Sequence, residues 1–149
     1  MSTQIDDAKL VERFPYLQID HDTKHHFRDW LDERLLINRC DDCSLFHHPP
    51  KPVCPSCWSS SLTPTEVSGR GVIHLTMLLH QGPPAPDVDY AKGPHPVVTI
   101  ALEEQEGLRF TSTVIDCPRE DIRIGLPVEL TWIDRFGAPF PVFRPVETS

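Results

Sequence analysis

Residues 39–58, RCDDCSLFHHPPKPVCPSCW, hold two Cys-x-x-Cys pairs, Cys40/Cys43 and Cys54/Cys57, separated by a ten-residue loop. Each pair puts two thiolates on one tight turn. Two such turns facing each other supply four sulfurs in a tetrahedron, the closed geometry of a structural Zn2+ site with no open position for catalysis. Pro49, Pro50, Pro52 and Pro55 stiffen the loop and the second turn, which lowers the entropy lost on forming the site. Metal binding of this kind is worth on the order of 10–16 kcal/mol in apparent terms, comparable with the whole stability of a small domain. The ribbon is therefore expected to unfold without its metal.

Other thiol chemistries fit less well. Disulfides need an oxidising compartment, whereas the chain opens with the polar run MSTQIDD and has no signal-peptide hydrophobic region, so a cytoplasmic protein is expected. A redox dithiol needs a single Cys-x-x-Cys at a helix start; here there are two, and prolines crowd the second. An iron site of rubredoxin type uses the same four thiolates, and spacing alone leaves it open.

Working outward, residues 1–21 read as a weakly ordered lead-in, with Phe14, Tyr16 and Leu17 available to dock on something. From Asp22 to Leu36 the pattern turns helical. Asp22 or Thr23 can cap the start, and Phe27, Trp30, Leu31 and Leu35 fall at i, i+3, i+4 and i+8. That stripe either covers the chain's own core or forms a partner-binding face, for which Phe27, Trp30, Leu31 and Arg34 are the candidate residues. After the ribbon, residues 59–64 read as a hinge into the second half.

Beyond Glu66 the signals are those of strands. Val67 to Leu79 reads as one long strand, with a bulge or bend at Gly69 and Gly71. Residues 96–103 alternate cleanly and form a hairpin with the alternating run Leu108, Phe110, Ser112, Val114 across the Glu106-Gly107 turn. Val128, Leu130 and Trp132 mark a fourth strand, and Pro141 to Arg144 a short fifth. Five strands at short spacing predict a small Greek-key barrel of OB type. The fold expected is thus mainly β, in three parts: a lead-in and amphipathic helix (1–37), a zinc ribbon (38–62) and an OB-fold domain (63–149).

Charge narrows the partners. The chain carries a net charge of −8, with 14 basic residues scattered among 22 acidic ones. Nucleic-acid affinity comes largely from neutralised phosphates and needs a clustered basic surface. A stand-alone single-stranded nucleic-acid module, the natural alternative for a ribbon plus an OB barrel, therefore lacks its electrostatic footing. No apolar run approaches the length needed to cross a bilayer.

Several local sequences, taken in order, carry a resemblance. They are Leu35-Leu36-Ile37-Asn38-Arg39 running into Cys40, Pro49-Pro50 before Cys54-Pro55, and Ser68-Gly69 with Gly71-Val72. His95-Pro96-Val97-Val98, Ile124-Gly125-Leu126-Pro127-Val128 and Pro141-Val142-Phe143-Arg144-Pro145 follow. Over about residues 22–145 the chain resembles the acyl-CoA-associated proteins grouped as domain of unknown function thirty-five, in which a rubredoxin-like zinc ribbon is joined to an OB-fold. Two positions depart from that pattern. Ser44 stands where Gly is common after the first knuckle, and Arg34 where Gly is common in the helix, which suggests a helix reaching further into the ribbon.

The resemblance implies a non-catalytic subunit of a heteromeric thiolase-like enzyme acting on CoA thioesters, with two copies of each chain. Aldol cleavage (as of steroid side chains) and thiolysis or acyl transfer are the implied reactions, and a hot-dog-fold hydratase is a further implied partner. Such a subunit organises the complex and shares the acyl-CoA ligand.

The chain's own residues offer little chemistry. The sequence holds no His-Glu-x-x-His, nucleophile elbow, phosphate loop or dinucleotide fingerprint. Cys117 has no identifiable base, and His47 and His48 are expected to hydrogen-bond thiolates or to lie exposed. The loop from Gln81 to His95 is long and proline-rich. Tyr90 and Lys92 on it, with Arg109 and Arg144, are the candidates for one wall of a shared acyl-CoA site.

Overall fold

The computed structural model describes residues 5–82 and 88–146; residues 83–87, the middle of the proline-rich loop, lie outside the described residues, as do 1–4 and 147–149. The chain is mainly β, with short N-terminal helices, a ribbon sheet and a five-stranded OB-like sheet, as the sequence predicts. It divides into two units, Met1–Val67 with Phe136–Phe140, and Ser68–Arg135 with Pro141–Ser149.

In the first unit the lead-in is more ordered than expected. Asp6 caps a helix α1 (Asp7–Arg13) by accepting the Lys9 N–H at 2.8 Å. Leu10 and Phe14 are fully buried, because this one short amphipathic turn has its own core to cover. The second helix, α2 (Lys24–Leu31), is shorter than expected. Its entry is held by Asp20, whose Oδ1 accepts the N–H groups of Asp22 (2.9 Å) and Thr23 (3.0 Å). Glu33 takes φ 55° and ends the helical path. The chain then becomes strand β1 (Leu36–Cys40), flanked by β2 (Phe46–His47) and β3 (Leu62–Glu66) in the order β2-β1-β3. Helical periodicity through Leu35 and Leu36 thus loses to strand pairing: all five β1 residues are in register with β3. Residues 62–64 are accordingly not a hinge but the start of a paired strand. Arg34 lies outside the helix and pairs with Glu66 at 2.9 Å.

The core of this unit is aromatic. Trp30 meets Phe27 edge-on at 4.8 Å between centroids, Phe14 at 5.8 Å and Phe140 at 5.6 Å. Tyr16 meets Phe136 at a tilt (5.4 Å) and Phe140 edge-on (5.9 Å), two rings that the chain returns to this unit from far along the sequence.

The larger sheet contains β4 (Arg70–Leu79), β5 (His95–Leu102), β6 (Arg109–Ser112), β7 (Pro127–Arg135) and β8 (Ala138–Pro145), in the order β6-β5-β4-β7-β8, and all of it but the first three residues of β8 belongs to the second unit. A parallel bridge between Val114 and Phe143 brings the two ends of that order together. The Ile115 N–H donates to Phe143 O at 2.8 Å and the Phe143 N–H to Thr113 O at 3.0 Å, so the sheet curls into an OB-like barrel. The bulge lies between Ile73 and Leu75, not at the glycines. Gly71 serves a close approach instead: a Cβ there would sit 2.3 Å from Ala101 O on β5. Ile73, Val98, Ile100, Phe110, Val128 and Phe143 fill the interior.

Candidate metal centre and family

The two Cys-x-x-Cys turns face each other as their spacing predicts. Cys40 Sγ lies 3.5 Å from Cys57 Sγ, Cys43 Sγ lies 3.6 Å from Cys54 Sγ, and all four sulfurs fall within 4.8 Å of one another. A zinc ion 2.3 Å from each corner of a regular tetrahedron separates the sulfurs by about 3.8 Å, so the four thiols fit that ion.

The two turns are built alike. Ser44 N–H donates to Cys40 O at 2.9 Å and Trp58 N–H to Cys54 O at 3.0 Å. Ser44 and Trp58 take the left-handed φ values 65° and 67° that such turns require. Backbone N–H groups also reach the sulfurs: Cys43 N–H to Cys40 Sγ at 3.5 Å, and Ser56 N–H to Cys54 Sγ at 3.4 Å. Such donors favour the thiolate. The Cys40 thiol is drawn down, foremost by the Cys43 N–H, and the Cys54 thiol to about 7, foremost by the Cys57 N–H. Asp41 pins the first turn to β3 by accepting the hydroxyls of Ser61 and Thr63, both at 2.7 Å, and Asp42 accepts the Ser59 hydroxyl. The Ser61 and Thr63 donors hold the Asp41 carboxyl below its usual range.

Behind the ribbon lies a group of histidines. His26 is buried, donates from Nδ1 to Leu36 O at 3.0 Å, and its ring centroid is 5.0 Å from that of His48. Burial comes first in pushing both down, His26 to about 3 and His48 to about 4. His47 is neither exposed nor bonded to a thiolate: it is buried, and neither ring nitrogen has a hydrogen-bond partner among the described residues.

The other candidate residues are dispersed. Trp30 is only 4% exposed and points into the first unit's core, Phe27 and Leu31 are half-buried, and Arg34 is exposed. Lys92 and Arg109 are exposed, Tyr90 is half-buried with its hydroxyl against Gly82, and Arg144 pairs with Glu129 at 3.1 Å. Two residues escaped the sequence reading. Trp58, at the left-handed end of the second knuckle, is 80% exposed, and its place directly after Cys57 was the available signal. Arg119 shares a cavity with Lys92, a juxtaposition with no sequence signal.

Two family models match this chain. That described as "ChsH2, rubredoxin-like zinc ribbon domain" covers residues 28–63, and "ChsH2, C-terminal OB-fold domain" covers 64–132. A "DUF35 domain-containing scaffold protein" of Methanocaldococcus jannaschii is 32% identical over 107 residues, 68% of this chain and 72% of that one. The chain belongs to the DUF35 family. The chain is also similar to the "Probable enoyl-CoA hydratase alpha subunit" of Thermomonospora curvata, 33% identical over 132 residues. The match takes in 88% of this chain but only 40% of that protein, so the DUF35 chain spans two fifths of the length of that relative. Among solved structures, a chain of the "Ltp2-ChsH2(DUF35) aldolase" superimposes with a TM-score of 0.76 at 32% identity, covering 87% of this chain and 98% of that one. The ribbon in this DUF35 chain is therefore of the zinc-binding class, and the clustered thiols of Cys40, Cys43, Cys54 and Cys57 fit such an ion by type, number and distance.

Proposed function

We propose that this chain is the non-catalytic, zinc-stabilised subunit of a heteromeric enzyme acting on CoA thioesters, assembled with a thiolase-like chain that carries out aldol cleavage or acyl transfer. The observation that carries this reading is the extent of the match to the aldolase subunit: ribbon and barrel together correspond to 98% of that chain. The metal centre fits the role. Four closed thiolates would fix the ribbon rigidly and leave no coordination site for substrate.

The surface also supports a partnered protein. Trp58 is 80% exposed, and Leu75, Met77 and Leu78 on β4 are each close to half exposed. Solvated apolar side chains of this size, gathered on one strand, are the kind that subunits cover. The anchoring tryptophan of the ribbon is then Trp58, with Phe27 and Leu31 on α2 and Arg34 just beyond it as further contact candidates.

Co-expression with a thiolase-like protein of the same host, followed by size-exclusion chromatography and assay of acyl-CoA cleavage, tests the reading. A stable complex, active only when both chains are present, is expected. An active partner that neither binds this chain nor gains from it would overturn the proposal.

A further inference from the structure

A four-thiol site needs two spacings to be right, and the local chain sets only one of them. Within each Cys-x-x-Cys pair a single tight turn places the two sulfurs. Between the pairs the close contacts are Cys40 with Cys57 (3.5 Å) and Cys43 with Cys54 (3.6 Å), one cysteine from each turn. The ten-residue loop that joins the turns leaves this second spacing open, and bringing its ends together costs chain entropy. We propose that residues 59–63, clamped by Asp41 and Asp42, form a strap that holds the two turns in register and thereby slows the release of the zinc ion. The proposal concerns the ribbon alone, so it stands or falls separately from the CoA-thioester reading.

The strap starts on the second turn and ends on the first. Ser59 O accepts the Cys54 N–H at 2.8 Å, and Ser61 O accepts the Asp41 N–H at 2.9 Å. Side chains repeat the link. The Ser59 hydroxyl donates to Asp42 Oδ2 and in turn accepts the Ser61 N–H at 3.1 Å. Asp41 uses both carboxylate oxygens, Oδ2 for the Ser61 hydroxyl and Oδ1 for the Thr63 hydroxyl. Backbone pairing of β1 with β3 runs no further than Cys40 opposite Leu62. Asp41 and Asp42 therefore carry the connection past the end of the sheet, into the turn that bears Cys43.

Placement explains why carboxylates stand there. Both lie between the two cysteines of the first turn, so whatever holds them holds Cys40 and Cys43 together. An ionised carboxylate accepts from a hydroxyl more strongly than a neutral group does, and three such bonds act on one short segment. Two negative charges beside four thiolates also attract a cation by themselves, an effect separable from the strap because it needs no hydroxyl. Asp41, Asp42, Ser61 and Thr63 are exposed and Ser59 is half-buried, so substitutions there empty no core space.

The test follows zinc transfer from the full-length chain to a chromophoric chelator, with the absorption spectrum of the Co2+-substituted protein reporting the ligand set. Ser59→Ala/Ser61→Ala/Thr63→Val keeps both carboxylates and should release zinc about tenfold faster than the wild type. Asp41→Ala/Asp42→Ala should do the same. Asp41→Asn/Asp42→Asn keeps the acceptor oxygens without the charge and should stay within about threefold of the wild type. Thr65→Val is the control, because that hydroxyl donates to Thr63 O at 3.0 Å on its own strand and should not matter. Asp42→Ala with Ser59→Ala should release zinc no faster than the faster single variant, since both remove one bond. Four-thiolate Co2+ bands should persist throughout; their loss would mean that the ligands changed rather than their register, and would count against the strap. Unchanged release from the hydroxyl-free triple variant would overturn it. Asparagine variants as fast as the alanine ones would overturn it too, by giving the effect to charge. Alanine variants that take up no zinc, beside asparagine variants that do, would support it.

Discussion

Trp30 and Trp58 exchange the roles that a stripe-based reading assigns them. Trp30 is buried against Phe14, Phe27 and Phe140, so Trp30→Ala should cost about 3–5 kcal/mol of stability, seen as a large fall in the denaturant midpoint. Trp58→Ala should leave stability within about 0.5 kcal/mol but weaken the complex about five- to hundredfold. A stable Trp30→Ala protein with impaired partner binding would reverse this assignment. His26 adds a pH dependence. Its folded-state value of about 3 lies below the ordinary 6.5, so between those values the unfolded chain holds a proton that the folded chain lacks. Stability should therefore fall as pH drops below about 6.5, with His26 adding up to about 1.4 kcal/mol per pH unit. Thermal melts of the wild type and His26→Asn from pH 7.5 to 5 check this: zinc release affects both, and only the difference reports His26. Parallel pH profiles would rule the histidine out.

The elements were legible to different degrees. The alternation from 96 to 102 and from 108 to 114 reads correctly as paired strands, because each strand buries one face and the two-residue period is unambiguous. The helix from Asp22 was legible in its start but not its end. Leu35 and Leu36 satisfy a helical period and a strand equally well, and five register partners on β3 decide between them. Gly71 was flagged for a bend, although what it permits is contact between β4 and β5. Gly71→Ala should therefore cost about 1–3 kcal/mol through collision with Ala101 O and the Ile100 side chain. A melting temperature equal to that of the wild type would show that β5 can yield there.

For the whole molecule, two units with separate cores and one metal centre imply two stabilities. The first unit has a short aromatic core and a ribbon whose four thiols would repel or protonate without an ion; the second has an apolar barrel interior and no metal-ligand cluster among its described residues. Chelation at neutral pH should abolish amide-exchange protection in β1–β3 while β4–β8 keep theirs. Simultaneous loss in both units would mean that they fold as one. No helix among the described residues is long and apolar enough to cross a membrane.

By itself the sequence determined the four-cysteine cluster, the ribbon, the strand count of the barrel and the family, because cysteine spacing and two-residue alternation are local patterns that survive in any context. Only the tertiary structure decided which tryptophan is buried, where α2 stops and that Arg119 lies against Gly93 beside Lys92. Each depends on what a distant segment supplies: Phe140 for Trp30, β3 for Leu36, a glycine 26 positions away for Arg119. Such contacts are long-range and carry no periodic trace along the chain, so packing alone chooses them.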